Sequence, residues 1–202
     1  MPDEKNSRLK ELLKKIVSQE SDVETVGSEL DSELGRDCTV MISDFSSFVG
    51  LAMEKGIVSA LSMVEKAHVI AEPILAALGG EVLRAEPDSL VVIFSKPMDA
   101  VMAARAVSRT FEEHNSNEVD GSQLSICLGI GHGHMLVTET KVYGEQAMLA
   151  AGLGKAVEGK FEVRLTPEAH EGVKHLESLV FGQAEPVMIG GVEITPHNLI
   201  FT

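Results

Sequence analysis

The sequence contains no tryptophan, one tyrosine and seven phenylalanines in 202 residues. So few flat rings argue against the stacking platforms on which single-stranded nucleic acids are bound. Positive charge is also short: 17 Lys and Arg stand against 31 Asp and Glu, a net charge of −14. A phosphate backbone needs an excess of cations, so nucleic acid is excluded as the main partner. A smaller anion is not excluded, because a bound metal ion can reverse the local field. No apolar run approaches the roughly 20 residues a membrane-spanning helix needs, so no membrane span is expected. The opening MPDEKNSRLKELLKK also lacks the apolar core of a signal peptide. Only two cysteines occur, Cys38 and Cys127, each within an apolar run. That setting suits buried reduced thiols rather than a disulfide, and the expected location is cytoplasmic.

What remains is ordinary globular material, 44% hydrophobic and 24% charged, long enough to bury a real core. The first 36 residues read as a helical extension. Leu9, Leu12, Leu13, Ile16 and Val17 form one stripe at helical spacing, and Val23, Val26, Leu30 and Leu34 form a second that stops at Gly35. Two short stripes suit packing on the domain behind them; a dimer contact or the stub of a signalling coiled coil is the alternative.

From residue 37 to 202 the pattern is that of one mixed domain. CTVMIS (Cys38–Ser43) is a buried strand, followed by a long helix over Val49–Leu78 that Pro73 should kink or split. Glu81–Ala85 and Leu90–Phe94 form a hairpin around Glu86-Pro87-Asp88-Ser89. A helix over Pro97–His114 leads through a polar loop to a strand at Leu124–Ile130, which His134–Thr138 continues or pairs with. Tyr143–Val157 is helical, Phe161–Leu165 a strand and Pro167–His175 a short helix capped by Thr166, with strand runs near Pro186–Ile189 and Asn198–Phe201. The order βαββαβ is that of a ferredoxin-like α+β fold, extended by further αβ units.

Two carboxylates stand out. Asp44 ends the first strand of the domain and Asp88 sits in the hairpin turn. If the first and second strands flank the sheet centre, strand end and turn meet at one edge. Two carboxylates there make a hard-oxygen site for Mg²⁺ or Mn²⁺. Asp44 as a helix cap and Pro-Asp as a plain turn pair are the competing explanations. Gly129-Ile130-Gly131-His132-Gly133 lacks the spacing and the following helix of a dinucleotide fingerprint. His132 and His134 would share a strand face, where surface or sheet-pairing roles outweigh metal binding for want of a third ligand. Met53, Met63, Met102 and Met148 read as helical core packing.

Three runs resemble the motifs of class III adenylate/guanylate cyclase catalytic domains. VMISDFSSFVGLAMEKG resembles the opening strand, Asp and Phe that lead into a long helix. GGEVLRAEPDSLVVIFSKPMDAVMAARAV resembles the second, and SICLGIGHGHMLV with VYGEQAMLAAGLGKA the third; together they run from about Cys38 to Glu171. The resemblance implies a cyclase homology domain that turns a nucleoside triphosphate into a 3′,5′-cyclic nucleotide and pyrophosphate with two metal ions. It assigns metal-ligand positions to Asp44, Asp88 and the backbone carbonyl of Phe45. It also implies head-to-tail dimers, with active sites shared between chains.

Departures from the family pattern are equally specific. The Asn and Arg expected four and eight residues after Gly144 are Met148 and Gly152. Losing such charge stabilisation typically costs about 10²–10³ in rate per donor. Lys155, three residues further, faces another side of the helix. Arg84 and Lys141 take the positions of the base-reading acid–base pair, so neither the adenine nor the guanine pattern survives, though both could hold phosphate. Pro87 replaces a Gly beside Asp88, and Pro186–Val192 offers no counterpart of the family's late phosphate-binding Lys. A homodimer would then be weak or inactive. A heterodimer with an intact cyclase chain, or a catalytically inactive regulatory module that binds nucleotide or a partner, is the alternative.

Overall fold

The computed structural model describes residues 4–45, 48–86, 89–117, 123–155 and 161–201, leaving aside the side chains of 84–86. The chain starts with an antiparallel helix pair, α1 (Glu4–Val17) and α2 (Val23–Leu34). Asp22 caps α2 by accepting the Thr25 N–H at 2.7 Å. Leu9, Leu12, Val26, Leu30 and Leu34 bury one another, with Leu136 of the sheet beneath them. Both stripes are therefore used in packing, except for Leu13, Val17 and Val23, which stay exposed. Arg8 reaches Glu11, Glu29 and Glu33 and ties the two helices across their exposed side.

Strand β1 (Gly35–Asp44) follows without a linker, then α3 (Phe48–Lys55), α4 (Ile57–Ala77), β2 (Glu81–Glu86), β3 (Ser89–Phe94) and α5 (Pro97–Asn117). The long helix is split, but not at Pro73, which lies inside α4. The break falls at Gly56, whose φ of 87° lies outside the helical region and is open to glycine without strain. Next come β4 (Cys127–Val137), β5 (Val142–Tyr143), α6 (Glu145–Lys155), β6 (Val163–Leu165) and α7 (Pro167–Glu171). The chain closes with β7 (Val180–Gln183), β8 (Val187–Ile189), β9 (Val192–Ile194) and β10 (His197–Ile200). β4 is one continuous strand, so His134–Val137 extends the apolar run before it.

The main sheet has the order β2-β3-β1-β4-β6-β10-β7, with β5 paired to β4. Its first four strands have the antiparallel arrangement of a ferredoxin-like α+β fold. One expectation needs correction: β1 lies between β3 and β4, while β2 is the edge strand. The start of β3 still comes beside the end of β1. The pairs Ile42↔Val91 and Met41↔Val92 run antiparallel, and the Leu90 N–H donates to Ser43 Oγ at 2.7 Å.

Alternation along the strands gives the sheet two apolar faces. Met41, Leu90, Val92, Leu128 and Ile130 pack under α4 and α5. Cys38, Val40, Ile93, Met135 and Val137 face α6 through Ala147 and Ala150. Cys38 and Cys127 are buried and form no disulfide with each other. Gly129 and Gly131 let α6 lie directly on β4: a side chain at Gly129 would strike the Ala150 carbonyl, and one at Gly131 would come within 2.5 Å of the Gln146 carbonyl. The glycine run is thus a helix–sheet contact. Of the methionines expected in the core, Met63 is buried, while Met53, Met102 and Met148 are exposed.

Candidate functional site

The face of the sheet toward α6 is only partly covered. Beside the helix lies a groove of about 580 Å³. The cross-strand pair Ile42 and Val91 forms its floor, Glu145, Ala147, Met148 and Ala151 of α6 one wall, and Thr140 to Gly144 the other. Lys141 and Met148, singled out by sequence on separate grounds, meet here. Asp44 lies two positions beyond Ile42 on the same pleat of β1, partly buried, and the sheet brings Ser89 to that end of the strand. Asp88, one residue earlier, falls outside the described residues.

α3 begins at Phe48, four positions beyond Asp44. The ring of Phe45 is buried against His68 of α4, with centroids 5.4 Å apart. Its carbonyl accepts the Phe48 N–H at 2.9 Å, which leaves one oxygen lone pair for another partner. Burial holds the His68 imidazole below its ordinary range. A neutral ring therefore backs the turn after Asp44. Carboxylate and carbonyl oxygens are donors that suit a hard divalent cation. Among the described residues no group of three or more His, Cys, Asp or Glu converges.

The remaining positions divide. Arg84 pairs through its backbone with Val91, next to the groove floor. Gly152 lies one turn beyond Met148, but the β8–β9 hairpin covers it: a Cβ there would sit 2.8 Å from Ile189 Cδ1 and 2.9 Å from Cγ1. Met148, by contrast, is 67% exposed. His132 hydrogen-bonds Thr39 across the sheet at 3.0 Å, and His134 bridges Asp31 and Asp37, so the two histidines serve pairing and surface roles. Sequence reasoning missed Tyr143 as a groove residue and Ile189 as a cover. The single tyrosine beside Lys141 was the available signal for the first; the second depends on a hairpin with no local motif.

No family model matches the sequence, and no curated relative does. Solved structures do match. The adenylate/guanylate cyclase/hydrolase from Silicibacter pomeroyi superposes with a TM-score of 0.72 at 16% identity, covering 83% of this chain and 98% of that one. The adenylyl cyclase CyaB from P. aeruginosa gives 0.69 at 16% identity over 83% and 95% of the two chains. The dimeric guanylyl cyclase domain of the RhoGC fusion protein from Blastocladiella emersonii gives 0.68 at 12% identity over 82% and 97%. The chain has the adenylate/guanylate cyclase fold. Within the cyclase fold, the groove lies beside the helix that follows the Tyr-Gly pair, and β1 delivers Asp44 to its end. No helix is long and apolar enough to cross a membrane among the described residues.

Proposed function

We propose that this chain binds a nucleoside triphosphate with Mg²⁺ or Mn²⁺ and supplies the metal-binding half of a cyclase-type site in intracellular signalling. On this reading residues 1–36 are a helical extension of a cyclase homology domain over 37–202. Asp44, the Phe45 carbonyl and Asp88 hold the cation, while Arg84 and Lys141 engage the phosphates. The bound metal would supply positive charge against the triphosphate and acidify the ribose hydroxyl. The chain's own part is to hold the oxygen donors and to close one wall with Lys141 and Tyr143.

The observation that carries the proposal is the state of α6. It presents the exposed side chain of Met148 at the groove wall and packs Gly152 against Ile189. Neither position offers a hydrogen-bond donor to the charge that develops on phosphorus during transfer. Turnover therefore needs a second chain that carries those donors. The covered Gly152 also favours a second possibility, a dimerising module without catalysis that signals by occupancy alone.

Incubation of the purified protein with ATP or GTP and Mn²⁺ tests the proposal. No cyclic nucleotide is expected at any protein concentration, together with heat on calorimetric titration that Asp44→Ala abolishes. Cyclic product from the protein alone would overturn the half-site assignment. Absence of nucleotide binding would leave only a scaffold.

A further inference from the structure

The groove wall that carries Lys141 and Tyr143 is anchored on the N-terminal helix pair. Thr138 and Lys141 close a tight turn between β4 and β5: the Thr138 N–H donates to the Lys141 carbonyl at 2.9 Å, and the Lys141 N–H to Thr138 Oγ1 at 3.0 Å. The tip of this turn is Glu139-Thr140, and α1 sits on it. The Glu139 carboxylate accepts the Lys5 N–H, at 3.2 Å and 3.1 Å from its two oxygens. That amide belongs to the first described turn of α1, and a carboxylate there meets the positive end of the helix dipole. Asn6 Nδ2 donates to Thr140 Oγ1 at 2.7 Å. A second cavity, about 400 Å³, lies between α1 and the turn and shares Thr140, Lys141 and Tyr143 with the groove. The same three residues therefore face α1 on one side and the groove on the other.

We infer that Glu139, Thr140 and Asn6 are positioning residues that set where Lys141 and Tyr143 stand, so that the helix pair acts on nucleotide affinity through this turn. The inference rests on the nucleotide-binding proposal above. Because the turn is closed on itself, a shift of α1 carries Lys141 with it instead of being absorbed locally. The coupling is reciprocal: nucleotide held by Lys141 must in turn tighten the first turn of α1.

The sign of one substitution separates positioning from simple electrostatics. Removing a carboxylate beside Lys141 should strengthen anion binding if Glu139 acts only by charge. If it positions the turn, Glu139→Ala weakens ATP–Mn²⁺ binding by roughly three- to tenfold, in line with the loss of one or two hydrogen bonds. Glu139→Gln keeps an acceptor for the Lys5 N–H and should stay within about twofold of the wild type. Amide hydrogen exchange supplies the second readout. Residues 141–143 and the first turn of α1 should exchange faster in Glu139→Ala and in Asn6→Ala without ligand. Added ATP–Mn²⁺ should protect Lys5 in the wild type and not in Glu139→Ala. Unchanged or tighter binding in Glu139→Ala overturns the inference. If the wild type binds no nucleotide, the functional proposal fails by itself; unchanged exchange at 141–143 then refutes the positioning role independently.

Discussion

At the scale of single residues, glycine and histidine carry the clearest consequences. Gly129 faces the Ala150 carbonyl so closely that a methyl group must push α6 away from β4. Gly129→Ala should cost about 1–3 kcal/mol, the usual range for overpacking a tight contact. Gly27, exposed within α2, has nothing near its missing Cβ, so Gly27→Ala should stabilise by about 0.5–1 kcal/mol. Paired chemical denaturation curves check both signs. His134 is raised above its ordinary value by hydrogen bonds to Asp31, then Asp37. Its proton is held more firmly in the folded chain, so its contribution is complete below the ordinary histidine value of about 6.5 and is lost as pH rises through the higher folded value. His170 has the opposite sign. Burial first, then the nearby His197 ring stacked 3.7 Å away, lower its value, so acidification below about pH 6.5 destabilises the fold. The melting-temperature gap between wild type and His134→Asn should narrow from pH 5.5 to 8.5. For His170→Asn, the wild type should lose more stability than the variant on acidification. A pH-independent gap in either variant would contradict its assignment.

At the scale of elements, the decisive contact is between α6 and the β8–β9 hairpin. The hairpin belongs to a separate two-stranded sheet, and Ile189 fills the space above Gly152. Placing the family's arginine there must displace Ile189, so Gly152→Arg should destabilise by about 1–3 kcal/mol. Ile189→Ala opens that space, and in the double variant the penalty should be smaller than the sum of the two single changes. A double-mutant cycle from denaturation midpoints measures this coupling, and strict additivity would refute the contact. The same level shows where sequence patterning stops. Apolar periodicity located α1, α2, α5 and α6 and the strands of the βαββαβ core, because each has one buried face. Proline's chemistry led to the expectation that Pro73 would kink or split the long helix. The chain breaks at Gly56 instead, where positive φ costs glycine little.

At the scale of the whole molecule, the proposed function makes this chain one half of a shared site. Asp44 lies on β1 two positions beyond the groove floor at Ile42 and Lys141 lines the wall, while neither Met148 nor Gly152 on α6 carries a side-chain hydrogen-bond donor. A mixture with an intact cyclase chain should yield cyclic nucleotide only from the mixed pair. Asp44→Asn in this chain should reduce that product at least 100-fold, comparable with removing one charge-stabilising group. Product retained in the mixture with Asp44→Asn would mean that the intact partner works alone. The net charge of −14 is consistent with this division, because phosphate would be met by a cation held on carboxylates instead of by a basic surface.

Sequence alone determined the class of fold and the positions in question. Strand and helix periods are local, and the motif order from Cys38 to Glu171 survives even where individual residues have changed. It also singled out Met148 and Gly152, where the cyclase resemblance leads one to expect donors, because their spacing from Gly144 is carried by one helix. Tertiary structure decided what those positions have become. Only packing brings Ile189 from a hairpin 37 residues further along onto Gly152. Only the sheet order sets β3 beside β1, and only the docking of α1 joins Lys5 and Asn6 to a turn 134 residues away. Such contacts depend on elements meeting in space, and no local pattern in either partner encodes the other.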